Sequence, residues 1–144
     1  MKQTIKGGCR CGAIRYEVDE VFDVICCYCT YCRPLTVWAS VRGDAFRTTS
    51  GTSRVYETSR TGKNHFCDQC GSCICWEGNH PSHLLARNGR YYSVNVSTLD
   101  DPEGCPPQIQ QFIERKLSWL KTLDDLPGVA GNSLPHPDSR KLRS

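Results

Sequence analysis

Cys67-Asp68-Gln69-Cys70-Gly71 is a two-cysteine turn, and Cys9-Arg10-Cys11-Gly12 near the start of the chain is its counterpart. In an extended segment, side chains two apart point to the same side, so Cys9 and Cys11 can grip one ion from a strand end. In Cys67-x-x-Cys70, backbone N–H groups of the turn can donate to the thiolates, and Gly71 allows a positive φ there. Each turn offers half of a tetrahedral four-sulfur zinc site. Zinc fingers and ribbons separate their half-sites by about 12–20 residues. These half-sites stand much farther apart, so closing them on one ion staples the first strand to the middle of the domain. Such closure supplies roughly 10 kcal/mol or more of folding free energy.

Between the two turns lies Cys27-Tyr28-Cys29-Thr30-Tyr31-Cys32-Arg33, with three thiols in one loop. Structural zinc is usually closed by four protein ligands, whereas three leave a position open for substrate. Three thiolates on a divalent ion leave one net negative charge. A thiol entering the open position is deprotonated there and stays nucleophilic. That chemistry suits making or breaking a carbon–sulfur bond at an electrophilic carbonyl. The spacing alone supports equally well a second structural zinc, its fourth ligand being Cys26, Cys73 or Cys75. A redox reading of Cys29-x-x-Cys32 ranks lower, because no βαβ pattern surrounds it.

The remaining chemistry-bearing residues form no pattern of their own. Cys73 and Cys75, two apart on an expected strand, read as small core residues, and Cys105 has no assigned role. His65, His80, His83 and His136 show no ligand spacing with one another; His65, just before Phe66-Cys67, is placed to orient the structural site or simply to pack. Trp38, Trp76 and Trp119 read as core. Arg33 follows the three-cysteine loop directly and is the candidate partner for a substrate carboxylate.

At 144 residues the chain fits one domain, with 38% hydrophobic residues and a modest core that metal would support. Eleven cysteines is an odd count, which disfavours a complete disulfide framework. The opening Met1-Lys2-Gln3-Thr4-Ile5-Lys6 has no apolar run behind it, so no secretory signal is expected. Nor does any stretch approach a membrane span. Clustered cysteines in a reducing compartment bind metal more often than they form bridges, which points to the cytoplasm. A net charge of +3 is too small to argue for nucleic acid, and the basic tail Arg140-Lys141-Arg143 reads as a solvated end.

Strands are expected over 2–7, 14–18, 21–26, 35–41, 52–58, 72–76 and 91–96, where apolar and polar residues alternate or β-branched residues cluster. Arg60-Thr61-Gly62-Lys63 reads as a polar turn, 77–88 as an irregular loop, and 100–107 as a turn region. Ile109, Ile113, Leu117, Leu120 and Leu123 fall near helical spacing, with Pro106-Pro107 ahead of a helix start. From Pro127 onward Gly, Pro, Asn and Ser dominate. The expected organisation is a mainly β zinc-binding domain over 1–127 and a poorly ordered tail over 128–144.

Gly8-Cys9-Arg10-Cys11-Gly12-Ala13-Ile14-Arg15-Tyr16, the central loop, and Phe66-Cys67-Asp68-Gln69-Cys70-Gly71-Ser72 come in the order seen in a known family. The chain resembles the glutathione-dependent formaldehyde-activating enzymes, a family that includes the domain of centromere protein V. Ser97-Thr98-Leu99-Asp100-Asp101-Pro102 and Trp119-Leu120 with Asp125-Leu126-Pro127 resemble it as well. The resemblance implies an Mss4-like, zinc-stapled β fold (a β-tent) with little helix, a strand at the start of 109–123 and a short helical turn near Trp119. It implies two zinc ions per chain: a structural one on Cys9, Cys11, Cys67 and Cys70, and a catalytic one on Cys27, Cys29 and Cys32. The implied activity joins glutathione to formaldehyde as S-hydroxymethylglutathione, a carbon–sulfur lyase reaction in reverse, with glutathione or another small thiol and a small aldehyde as partners. The alternative within the resemblance is a non-enzymatic zinc-binding interaction module of the centromere protein V type. The chain departs from the family at Tyr28, where histidine is usual, at Pro34-Leu35-Thr36-Val37, at Asn64 and near Gln108. These differences touch the pocket wall and leave the metal ligands intact.

Overall fold

Alternation of apolar and polar residues accounts for several short strands, that over Arg15–Val18 among them. A computed structural model describes residues 3–131. Among the described residues ten strands form: β1 Ile5–Gly8, β2 Arg15–Val18, β3 Asp23–Cys27, β4 Thr36–Arg42, β5 Phe46–Ser50, β6 Arg54–Ser59, β7 Gly62–Phe66, β8 Cys73–Gly78, β9 Tyr91–Asn95 and β10 Ile109–Gln111. The chain is mainly β, and its helical segments are short 3-10 turns, the longest being Ser118–Asp125. None of the described helices is long and apolar enough to cross a membrane.

The strands form two sheets. A three-stranded sheet has the order β1-β2-β5, and a seven-stranded sheet has the order β10-β3-β4-β9-β8-β7-β6. Pairing is antiparallel throughout except where β10 runs parallel to β3. Tyr16 and Val18 of β2, with Ile14 just before it, pack onto Val24, Ala39, Val41, Ile74, Cys75, Tyr92 and Val94 of the large sheet. Phe46 sits between Tyr16 and Tyr92, with ring centroids 5.2 and 4.7 Å away, and so joins the two layers.

After β9 the chain crosses back to the small sheet through the 3-10 turn Val96–Thr98. Gly7 bridges Leu99, and the Asp100 N–H donates to the Lys6 carbonyl at 2.9 Å. The Tyr16 hydroxyl meets Thr98 Oγ1 at 2.7 Å, and Arg15 pairs with Asp100. The motif Ser97-Thr98-Leu99-Asp100 is therefore the seam that holds the sheets together at this end.

Two expectations are corrected here, and one open reading is resolved. β5 was not anticipated, because Phe46 is its one large apolar residue; it is held by pairing with β2 and by Arg47 bridging Glu17 and Asp19. The polar turn expected at 60–63 shrinks to Arg60-Thr61, and Gly62 to Phe66 are strand. The segment 109–123, open between helical spacing and the strand with a short helical turn that the resemblance implies, takes the second form: strand Ile109–Gln111 and a 3-10 turn over Ser118–Asp125. Gln108 captures Val24 through both its backbone and its side chain, which docks β10 on β3. Phe112 then turns the chain at a left-handed φ of 57°. Ile109, Ile113 and Leu123 are exposed, so the apolar stripe has no core to face.

None of the three tryptophans lies in the buried core: Trp38 and Trp76 are half-buried and Trp119 is exposed. Of the expected tail of 128–144, residues 128–131 are exposed, and 132–144, with His136 and Arg140-Lys141-Arg143, lie outside the described residues.

Ile74 is 2% exposed at the centre of the core. Ile74→Ala should lower unfolding free energy by about 3 kcal/mol, read as a lower urea midpoint with an unchanged slope in the zinc-loaded protein.

Candidate metal centres

The hairpin ends that carry the outer cysteine pairs meet in space. Cys9 and Cys11 follow β1, and Cys67 and Cys70 occupy the turn from β7 to β8. Each turn closes on itself: Gly12 N–H donates to the Cys9 carbonyl at 3.0 Å, and Gly71 N–H to the Cys67 carbonyl at 2.8 Å. Gly12 and Gly71 adopt φ of 81° and 77°, a left-handed conformation that side-chain-bearing residues rarely adopt. The sulfurs of all four cysteines lie within 4.8 Å of one another, with Cys9–Cys11 at 3.5 Å and Cys11–Cys67 at 3.7 Å. A tetrahedron of zinc–sulfur bonds of about 2.3 Å has edges of about 3.8 Å, so the donor set fits the ion in spacing.

It also fits in charge. The Ser72 hydroxyl, 3.2 Å from Cys70 Sγ, draws that thiol down to about 5. Burial works against ionisation of Cys9, but the Ile14 N–H at 3.2 Å and the neighbouring thiols outweigh it and lower its pKa. At Cys11 the Ala13 N–H favours the thiolate, yet Cys9 and the other sulfurs hold it up at about 12. Like charges this close do not ionise together unless a cation sits among them. Four sulfurs could thus hold one metal ion, and zinc suits them.

The third cluster is built differently. β3 ends at Cys27, and the loop to β4 carries Cys29 and Cys32. Cys32 N–H donates to the Cys29 carbonyl at 3.0 Å, and the Thr36 hydroxyl donates to the Cys32 carbonyl at 3.1 Å. Backbone N–H groups of Cys32 and Tyr31 favour the Cys29 thiolate and, with the Cys32 and Cys27 thiols, lower its pKa against the effect of burial. Burial raises Cys27, and it pushes Cys32 to about 12 despite the Trp38 indole N–H at 3.3 Å from Cys32 Sγ. The three sulfurs lie within 4.8 Å of one another and could hold a metal ion. Among the described residues no fourth histidine, cysteine or carboxylate joins them. Cys26, next along β3, meets Tyr28 instead. Cys75 is buried in the core, and Cys73 lines a cleft beside Cys9, at the other cluster.

Tyr28 is buried with its hydroxyl donating to Gln110 Oε1 at 2.7 Å, and its contact with Cys26 together with burial holds its pKa at about 12. The Tyr28 N–H donates to the Gln111 carbonyl at 3.1 Å. Strand β10 and the turn after it therefore form one wall of the loop. Arg115 Nη1 donates to Thr30 Oγ1 at 3.0 Å, and Lys116 Nζ donates to Gln110 Oε1 at 3.2 Å. The sequence reading missed this wall, as it missed Trp38, because no local pattern ties residues 85 positions apart. Arg33 is exposed just after Cys32.

His65 turns away from the four-cysteine site. Its Nδ1 meets Ser53 Oγ at 2.7 Å and its Nε2 lies 3.8 Å from buried Glu77, in a cleft of about 190 Å³ between the sheets. Desolvation lowers its pKa against the pull of Glu77, so it is neutral there at neutral pH. His83 stacks on Tyr91 at 3.7 Å, and its Nδ1 accepts from Leu85 N–H. All eleven cysteines are free thiols.

Residues 4–115 match the family described as glutathione-dependent formaldehyde-activating enzyme. The chain is also similar to a crystal structure of a Rhodobacter sphaeroides protein, a structural genomics target. The TM-score is 0.57 at 29% identity, with 74% of this chain and 99% of that one covered. No curated protein matches it.

Trp38→Phe removes the indole donor to Cys32 Sγ and keeps the ring. A hydrogen bond of this kind contributes about 1 kcal/mol. In protein loaded with zinc, a chromophoric chelator should therefore extract an ion held by the central cluster roughly fivefold more readily, with one held by the four cysteines unaffected.

Proposed function

The chain belongs to the glutathione-dependent formaldehyde-activating enzyme family, and on that footing we propose that it is a zinc-dependent carbon–sulfur lyase or thiol-adduct enzyme. Its substrate is glutathione or a glutathione conjugate, and a small aldehyde is the natural electrophile. Cys9, Cys11, Cys67 and Cys70 hold the structural zinc in this reading. Cys27, Cys29 and Cys32 hold the catalytic one, and Arg33 meets a substrate carboxylate. The inequality of the two clusters carries the proposal: four sulfurs on one side, three without a fourth partner among the described residues on the other.

Zinc on the three-cysteine loop would supply a Lewis acid that lowers the pKa of an incoming thiol. The chain's own part is to hold the three sulfurs in one geometry. Trp38 and the N–H groups of Tyr31 and Cys32 do this by donating to Cys32 and Cys29. Tyr28 keeps its proton, so it anchors the loop to Gln110 and does not act as a base. Thr30, Tyr31 and Arg33 leave the outer side of the loop open to water, which can accept the thiol proton. A new carbon–sulfur bond then forms at the carbonyl carbon, its π pair moves to oxygen, and oxygen takes a proton from water. The reverse sequence breaks the same bond. Free thiols throughout support a reducing, cytoplasmic setting.

A purely structural second zinc, as in a non-enzymatic interaction module, needs a fourth protein ligand, and no described residue supplies one. X-ray absorption at the zinc edge separates the readings. Glutathione should add one sulfur to the average shell of one of two zincs; a spectrum that does not change, with both ions already at four protein sulfurs, rejects the lyase. Cys29→Ser should abolish glutathione-dependent formaldehyde turnover and leave the circular dichroism spectrum largely intact. Cys67→Ser should instead reduce soluble yield, because it opens the staple between the sheets.

A further inference from the structure

We propose that Arg115 and Lys116 form a carboxylate-binding subsite beside the Cys27-Cys29-Cys32 loop, which makes that site select thiols bearing carboxylates over neutral ones. This deepens the reading above and rests on it for the place of the thiol; the carboxylate contact stands on its own observations.

The first observation is position. The Arg115 guanidinium touches Thr30, whose neighbour in the chain is Cys29, and consecutive Cα atoms are about 3.8 Å apart. Lys116 lies over the ring of Tyr28, with its ammonium 5.0 Å from the centroid, and Tyr28 precedes Cys29 in the chain. The two cations therefore contact the residues immediately before and after Cys29 in the chain. Glutathione has the matching layout, with carboxylates on the residues either side of its cysteine.

The second observation is charge. Six cationic side chains are matched by carboxylates: Lys6 with Glu17, Arg15 with Asp100, Arg42 with Asp44, Arg47 with Glu17 and Asp19, and Lys63 and Arg90 with Glu77; of the other described cations, Arg115 and Lys116 are the two in contact with the three-cysteine loop and its wall. Among the described residues neither Arg115 nor Lys116 makes an ion pair, and exposed Glu114 between the strand and Arg115 pairs with neither. Arg115 gives one N–H to Thr30 and Lys116 gives one to Gln110. A guanidinium has five donors and an ammonium three, so both retain donors for a ligand. A cation is also what a carboxylate needs here, since three thiolates on a divalent ion leave a net negative site that would repel it.

The third observation is preorganisation. Phe112, in the left-handed region at φ 57° and ψ 45°, reverses the chain so that Ile113–Arg115 turn back toward the loop. A bulky residue rarely adopts that conformation. The Arg115 guanidinium lies 5.9 Å from the Phe112 ring centroid, and β10 is pinned to β3 by pairing with Ile25, Cys26 and Cys27. Both cations are thereby held before any ligand arrives, which reduces the ordering cost of binding.

The test is calorimetric titration of the two-zinc protein with glutathione, with S-methylglutathione and with glutathione dimethyl ester. The wild type should bind the first two more tightly than the diester, with affinity falling as salt rises. R115Q/K116Q should weaken both by roughly tenfold, a few-fold for each exposed charge contact. It should leave the diester affinity and the zinc content unchanged, and R115K/K116R should restore most of the loss. Equal affinity of wild type and R115Q/K116Q for glutathione and S-methylglutathione overturns the subsite, as does a wild type that binds none of the three. If glutathione binds no more tightly than S-methylglutathione, the thiol reading of the zinc site fails instead, and the variant comparison still decides the subsite.

Discussion

Four sulfur atoms from two turns 56 residues apart converge within 4.8 Å, and the arrangement of both sheets follows from that convergence. Cys9 and Cys11 end the first strand of the small sheet, while Cys67 and Cys70 lie between two strands of the large one. Thiols that approach so closely without a cation repel as they ionise; with one among them they become a crosslink stronger than any contact the core offers. The core itself is thin, built from the inner side of a three-stranded sheet on part of a seven-stranded one. The four-cysteine cluster at one end and the Tyr16–Thr98 and Arg15–Asp100 contacts at the crossing segment join the layers.

The two cysteine clusters differ in how the chain surrounds them. Cys9 and Cys67 are part of the buried core, and the turn glycines let each loop fold tightly around its sulfurs. The three-cysteine loop sits where β3 runs out toward β4, near the parallel edge strand β10. Its inner side is fixed by Trp38 and Tyr28, and its outer side carries the exposed Thr30, Tyr31 and Arg33. A rigid back and an open front are what a site needs when a ligand must complete it.

Much of the architecture could be read from residue order. Ile14, Tyr16 and Val18 alternate with polar neighbours and form the inward row of β2, and the expected strands near 36–42, 73–78 and 91–95 appear with boundaries shifted by a few residues. β5 and β7 escaped because their residues are mostly polar; they are strands because neighbouring strands supply the ladder partners. The stripe at 109–123 could not decide between helix and strand for the converse reason. Helical spacing matters only where a core receives the apolar face, and here β3 offers an open edge instead, which takes up Ile109–Gln111 as a strand.

The cysteine spacings by themselves determined the groupings of the thiols: which pair as turns, which stand as three, and that both groupings can hold a metal ion. Ligand sets survive as local patterns because each turn must present its sulfurs from adjacent backbone. Whether a fourth side chain joins the third cluster among the described residues, where Cys26, Cys73 and Cys75 lie, and which cations come to lie against Thr30 and Tyr28 were decided only by the tertiary structure. Strand pairing sends Cys75 into the core and brings Arg115 across 85 residues to Thr30, and a contact made by pairing distant strands leaves no local trace in the chain.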